Sequence, residues 1–197
     1  MPSTVLVDGP VVVGMPADVP AFNRVTIRLR DTEGGAVRFQ DEKPGRGFNQ
    51  PQSLKLVAGD AYVLHIELQG GTVDGVEAVM LDDASMDISS SEHHGDVVTI
   101  KCPWRLSVWH YGTTLKGSRD SVPISITYMH AGKQRQMVLE LQCKFYDRRR
   151  PKEAAKAKHD GKCFNCATLQ ASDSDGVARE WLFEEMPTLK PMVHQLA

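Results

Sequence analysis

The sequence has no apolar run long enough to cross a bilayer as a helix, which takes about 20 residues. It has only four cysteines, all late in the chain, which argues against the disulfide framework of a small secreted domain. Lysine and arginine are absent before Arg24, and Asp8 and Pro10 interrupt the apolar start, so neither a transit peptide nor a signal peptide is predicted. These absences predict a protein of the reducing cytosol.

An excess of charge of one sign is also missing, because 23 basic and 25 acidic residues leave a formal net charge of −2. Proteins that bind nucleic acid usually carry a strongly basic face, so nucleic acid is not an expected partner. The sequence also lacks a phosphate-binding glycine loop, a dinucleotide fingerprint and a nucleophile elbow. We therefore expect a non-enzymatic protein with no cofactor, no membrane partner and no small-molecule partner.

What the chain does have is a series of short segments with alternating polarity. The clearest spans residues 122–146, whose two halves alternate around a turn at Ala131-Gly132-Lys133. The residues on its apolar face are Val122, Ile124, Ile126, Tyr128, Met137, Leu139, Leu141, Cys143 and Phe145. This pattern predicts a long β-hairpin, which needs further sheet to cover its apolar face.

Roughly eight or nine such segments recur about every ten residues, with no convincing helix among them. The spacing predicts an all-β fold, an antiparallel β-sandwich of the immunoglobulin or C2 type, formed by residues 1–147. Trp104 and Trp109 have opposite parity on one predicted strand, residues 104–111. One of them should therefore belong to the core, and the other should be available on the surface.

The composition changes after Asp147, and residues 148–197 are predicted to form a charged, mostly irregular and partly helical extension. Its basic part, residues 148–162, has Pro151 and Gly161 at positions that favour the start and the stop of a helix over residues 152–159. Its acidic part follows at residues 172–185. The opposite charges predict contact with each other or with complementary partners.

This extension is where we expect protein partners to bind. The predicted partner-binding residues are the basic Arg148, Arg149, Arg150 and Lys152 and the apolar Trp181, Leu182 and Phe183. For Trp181 the sequence leaves a second interpretation open, in which its ring packs back onto the sandwich. The favoured interpretation is an interaction or scaffold module, a subunit of a larger cytosolic or cytoskeletal complex, with an axonemal or ciliary location included.

The alternative is a zinc-binding or small-ligand-binding β-sandwich domain. Cys163 and Cys166 have the C-x2-C spacing with which two thiolates share a tetrahedral zinc ion, and His159 is a candidate third ligand. A second C-x2-C pair is missing, so reduced cysteines that pack as small apolar groups are the favoured explanation of the spacing. The face of Trp109 is the candidate surface for stacking a small ligand.

Several short segments, in order, resemble the adipose-secreted signaling protein family. They are Arg24-Val-Thr-Ile-Arg-Leu29, Val37-Arg-Phe-Gln-Asp-Glu-Lys43, Ser53-Leu-Lys-Leu-Val57 with residues 62–68, Ile100-Lys-Cys102, Tyr146-Asp-Arg148 and Gly161-Lys-Cys163. The resemblance covers about residues 24–163 and implies a soluble eukaryotic β-sandwich protein that acts through interactions. It also implies a docking element for protein phosphatase 1 at residues 24–29, where Leu29 stands in place of the aromatic residue of that motif.

Overall fold

The computed structural model describes residues 22–70, 73–170 and 181–187. Part of the predicted acidic stretch, residues 172–180, lies outside these ranges. Residues 1–21 of the first predicted domain and residues 188–197 of the extension also lie outside them. The elements are β1 (Arg24–Asp31), β2 (Arg38–Asp41), β3 (Gln52–Ala58), β4 (Ala61–Gln69), β5 (Val73–Leu81), β6 (Ala84–Met86), β7 (Ser90–His94), β8 (Val97–Arg105), β9 (Asp120–His130), β10 (Lys133–Asp147), α1 (Pro151–His159), β11 (Lys162–Gln170) and β12 (Leu182–Glu185).

The strands follow one hydrogen-bonded path in the order β6-β5-β9-β10-β3-β2-β11-β1-β4-β8-β7, and β12 pairs with β11 beside this path. The pair β3–β10 is parallel, with Leu56 opposite Phe145. The other pairs among the described strands are antiparallel. The mostly β fold is therefore confirmed, as a curled mixed sheet in the form of a half-barrel. An antiparallel immunoglobulin or C2 sandwich is not confirmed, because the path is continuous and contains a parallel pair.

The predicted hairpin is formed by β9 and β10. Ile126 lies opposite Met137, and both are buried, as the predicted parity requires. The connecting residues Ala131 and Gly132 have φ values of 50° and 69°, the positive values that a tight two-residue hairpin turn uses. The whole predicted apolar face is buried, so this prediction is confirmed.

One large core fills the inside of the curled sheet. Alternate residues of the strands point into it because successive side chains of a strand project to opposite faces. The largest fully buried side chains are Phe39, Phe145, Phe164, Ile27, Leu54, Leu56, Leu64, Ile66, Leu68, Leu81, Ile100 and Leu106. They come from early, middle and late strands and, for Leu106, from the loop after β8, so segments far apart in the sequence share this core.

The chain after Asp147 contributes a helix and two strands to the same fold. The helix is confirmed, and it begins at Pro151. β11, which we predicted to be irregular, lies inside the path: its first residues pair with β2 and its later residues pair with β1. Four consecutive residues, 166–169, are buried, which removes the alternation by which a strand is recognised. Within the described ranges, no helix has the length and the apolar character of a membrane span.

Helix α1 is held against the outside of the sheet. Ala154 and Ala157 are buried in a small cluster with residues of β3 and β10. The ammonium group of Lys55, on β3, donates hydrogen bonds to the carbonyl oxygens of Lys156 and Asp160 at 2.6 and 2.8 Å. Because the last carbonyls of a helix carry partial negative charge, this cation stabilises the end of α1.

Candidate protein-binding surface

The most exposed large apolar side chain of the described residues is Trp109, in the loop after β8, with 87% of its surface accessible. Trp104, on β8, is 3% exposed and packs in the core. The predicted separation of the two tryptophans is therefore confirmed, although β8 ends at Arg105 and Trp109 lies in a loop. An exposed tryptophan is unusual because its large ring remains in contact with water.

Three segments that are distant in the sequence meet beside Trp109. The Gly59 amide donates to the carbonyl of Leu106 at 2.7 Å, and the Leu106 amide donates to the carbonyl of Asp60 at 3.1 Å. The Arg148 amide donates to the carbonyl of Ala58 at 3.0 Å. Backbone hydrogen bonds thus join the loop after β8, the β3–β4 turn and the turn after β10 into one surface.

The close approach of these segments requires glycine at position 59. Its φ is +103°, and a Cβ there would lie 3.1 Å from both Arg148 Cβ and Val108 Cγ1. A larger residue would push the Trp109 loop and the basic turn apart.

A buried carboxylate lies beneath this surface. The side chain of Asp60 is 1% exposed, and its oxygens lie 3.4 Å from Arg148 Nη1 and 3.1 Å from Lys158 Nζ. A buried charge needs a charged partner, so Asp60 holds both cations in place. It thereby ties the end of α1 to the turn that precedes the helix.

The guanidinium group of Arg149 lies between a carboxylate and the exposed indole. It donates to both oxygens of Asp147, with Nη2–Oδ2 at 2.7 Å, and its central carbon lies 5.3 Å from the ring centroid of Trp109. Side-chain and backbone hydrogen bonds from Arg149 lower the pKa of Asp147 to about 2. The cation over the ring face fixes the orientation of the loop and of the turn relative to each other.

Two further basic side chains extend the surface onto α1. Arg150, 64% exposed, lies 3.4 Å from Glu153, and Lys152 is exposed in the first turn of the helix. We call the set formed by Trp109, Arg148, Arg149, Arg150 and Lys152 the Trp109 surface. The four basic residues were predicted as partner-binding from the sequence, whereas the contact of Arg149 with Trp109 was not, because no sequence pattern links a loop to a distant turn.

The other residues predicted to bind partners lie elsewhere. Trp181 is 2% exposed, and its indole N–H donates to the carbonyl of Glu140 at 2.7 Å. Phe183 is half-buried, whereas Leu182 is 60% exposed. Trp181 and Phe183 therefore pack onto this chain's own core, and of the three only Leu182 is largely exposed.

The residues of the predicted zinc site are not brought together. Burial alternates from Cys163 to Cys166 along β11, so their thiols lie on opposite faces, and His159 ends α1. Burial raises the pKa of Cys166, and a hydrogen bond from its thiol to Glu184 at 3.3 Å acts in the same direction. A higher pKa disfavours the thiolate that zinc binds. No group of three or more potential ligand residues in the described part of the chain is arranged to hold a metal ion.

A groove of about 100 Å³ lies between the loop at residues 47–50 and the β9–β10 hairpin. Arg119 lines it and donates to both carboxylate oxygens of Glu42, and the two side chains are 7% and 5% exposed. The ring of Phe48 packs on the guanidinium group at 4.6 Å. Because the two charges neutralise each other, we regard this groove as a structural feature rather than as an ion-binding site.

The family model described as CNRIP1, CB1 cannabinoid receptor-interacting protein 1, matches residues 19–186, well over half of the chain. No curated protein matches the sequence. The predicted resemblance to the adipose-secreted signaling protein family is therefore wrong, because its short segments are too unspecific to identify a family.

Proposed function

We propose, from the premise that the chain belongs to the CB1 cannabinoid receptor-interacting protein 1 family, that it binds a segment of a cannabinoid-type receptor through the Trp109 surface. The family supports a protein-interaction role, in agreement with the interaction module expected from the sequence. It lends no support to an axonemal assembly.

The observation that carries the choice of surface is the exposure of Trp109. Burial of a large aromatic side chain removes about 150–250 Å² from water, worth about 4–6 kcal/mol before the costs of association. Tryptophan and arginine are also the residue types most enriched among binding hot spots. Here the two are held in contact, because Arg149 stacks on the indole ring.

The charges of the surface indicate the chemistry of the bound segment. The three arginines have acidic neighbours in the chain, Asp147 for Arg149, Asp60 and Glu33 for Arg148, and Glu153 for Arg150. Their side chains are nevertheless more than half exposed, and Lys152 is exposed as well, so these cations are accessible to a partner. We therefore expect the receptor segment to carry carboxylates beside an apolar residue that covers Trp109. Because the cations are exposed, the association rate should fall as the salt concentration rises.

We also propose that the protein acts without catalysing a reaction and that it does so on the cytosolic side of the membrane. The absence of the known catalytic motifs from the sequence supports the first part. The four cysteines are all free, and Cys102, Cys143 and Cys166 are buried, which is compatible with a reducing compartment.

The test is a titration of labelled peptides, which together cover the aqueous segments of a cannabinoid receptor, with the full-length chain. Trp109→Ala should weaken binding of the bound peptide about 30-fold, the effect of losing a hot spot worth about 2 kcal/mol. Val138→Ala is the matched control, because Val138 is also exposed but lies on β10, away from this surface. Equal affinity of Trp109→Ala and the unmodified chain would contradict the proposal, and so would the lack of any bound peptide.

A further inference from the structure

The last described strand, β12, is held in the way that proteins hold a bound peptide. It has only four residues and pairs along one edge with β11. On the other side, the backbone amides of Trp181 and Phe183 donate to the side-chain oxygens of Gln50 and Gln52, at 3.3 and 3.2 Å. Two glutamine side chains therefore supply the acceptors that a neighbouring strand would normally supply.

The side chains of this segment alternate between anchors and exposed groups. Trp181 is buried, Leu182 is exposed, and Phe183 packs edge-to-face on Phe39 and Phe164, with both centroid distances 5.4 Å. Backbone hydrogen bonds combined with pockets for alternate side chains are the features of strand addition, in which an extended peptide joins the edge of a sheet.

Two acidic residues follow the aromatic anchors. Glu184 accepts a hydrogen bond from the thiol of Cys166 at 3.3 Å, and Glu185 interacts electrostatically with Lys162. The site therefore recognises the pattern of residues 181–185, which is aromatic, any residue, aromatic, acidic, acidic. We call it the β12 site, formed by β11, Gln50, Gln52, Phe39 and the carbonyl of Glu140.

We propose that the β12 site binds an extended segment of a partner protein that has this aromatic and acidic pattern, and that residues 181–186 occupy the site in cis. The partner segment binds by displacing them and makes the same hydrogen bonds. This interaction is separate from binding at the Trp109 surface and does not depend on it. The glutamine acceptors favour such an exchange. Because their oxygens are on side chains, they can move to accept hydrogen bonds from a partner backbone in a slightly different position.

The link between β11 and residues 181–186, which we call the tether, sets the affinity of the intact chain for a partner segment. Residues 171–180 connect β11 to Trp181, so the internal segment competes at an effective concentration of the order of millimolar. A peptide in solution should therefore bind the intact chain weakly. Its affinity should rise by about 100-fold or more once the tether is cut, because the competitor is then free to leave.

The experiment uses the full-length chain with a specific protease site inserted between Ser174 and Asp175. A labelled peptide with the sequence of residues 179–187 is titrated before and after cleavage, and exchange is followed by fluorescence anisotropy. We expect binding at least about 100-fold tighter after cleavage. The same peptide with Trp181→Ala should not bind, and Trp109→Ala in the protein should change nothing.

Two results would overturn the inference. In one, the cleaved protein stays folded and keeps its own segment against excess peptide. In the other, cleavage unfolds the protein. Either result would show that β12 is a permanent strand of the fold. If receptor peptides do not bind at the Trp109 surface, the outcome of the cleavage experiment is unaffected. The two proposals can therefore fail independently.

Discussion

Removal of the buried charge of Glu42 should be among the most damaging single changes in this protein. The carboxylate accepts hydrogen bonds from Arg119 Nη2 at 2.7 Å, from the Ser53 hydroxyl at 2.6 Å and from Gln40 Nε2 at 3.0 Å. Glu42→Gln keeps the shape of the side chain but replaces one acceptor oxygen with a donor. The guanidinium group of Arg119 then remains buried without a counter-charge.

The expected magnitude follows from the burial of both partners, which are 5% and 7% exposed. Loss of one member of a buried ion pair typically costs 3–5 kcal/mol, because the remaining charge is left uncompensated, whereas an exposed pair is worth about 0–1 kcal/mol. We therefore expect Glu42→Gln to lower the free energy of unfolding by about 3–5 kcal/mol. The double variant Glu42→Gln/Arg119→Met should recover most of this loss, since both charges are then gone.

The assay is urea denaturation of the unmodified chain, both single variants and the double variant, followed by tryptophan fluorescence. A loss below about 1 kcal/mol for Glu42→Gln would refute the reasoning, because it would mean that water reaches the pair. A double variant less stable than either single variant would refute it too. Acid provides a second readout: burial alone would raise the pKa of Glu42, but hydrogen bonds from Arg119 and Ser53 hold it below 4.5. The stabilisation should therefore be complete above pH 4.5 and disappear as the pH falls through the folded-state pKa.

Three further predictions concern the hairpin, the basic turn and the helix. Leu141→Ala, at a fully buried position, should lower the free energy of unfolding by about 2–5 kcal/mol, while Val138→Ala on the exposed face of the same strand should change it by less than about 0.5 kcal/mol; equal losses in denaturation would mean that the parity is inverted. The stabilisation from Asp147, whose pKa falls from 3.8 to about 2, should be lost as the pH drops through that range, and Asp147→Asn should remove this part of the acid dependence in denaturation curves. Lys55→Met removes two hydrogen bonds at the end of α1 and leaves those from Arg38, so amide hydrogen exchange should accelerate in the helix and stay unchanged in the β9–β10 hairpin; uniform acceleration would argue against a local role.

The sequence predicts the hairpin well for a simple physical reason. One face of β9 and β10 packs on the core and the other is more accessible, so the polarity alternates with the period of a strand. Helix α1 is also predictable, since Pro151 can begin a helix and Gly161 adopts the positive φ of 99° that follows its end. These signals are local, so they can be recognised in the sequence without knowledge of the fold.

Strand β11 shows where local signals fail. Residues 166–169 are all buried between neighbouring strands and the core, so no alternation marks them as a strand. The spacing of Cys163 and Cys166 was instead taken as a candidate metal knuckle. The parallel pairing of β3 with β10 is equally invisible, because it joins residues as far apart in the sequence as Leu54 and Cys143.

In the candidate site, too, some features can be predicted from the sequence and others depend on the fold. The basic cluster at residues 148–152 is contiguous and can be read from composition. The stacking of Arg149 on Trp109 depends on Gly59 and on the buried Asp60, which bring a loop and a turn together. The burial of Trp181 likewise depends on a long-range hydrogen bond to Glu140, which no neighbouring residue indicates.

The most direct test of receptor binding at the Trp109 surface is hydrogen exchange of the full-length chain, measured with and without a purified cannabinoid receptor in a lipid disc. We predict slower exchange in residues 107–111 and 147–152, with no change at the β9–β10 turn, because bound surfaces are shielded from water. Protection confined to other strands, or no protection at receptor concentrations that saturate binding, would contradict it.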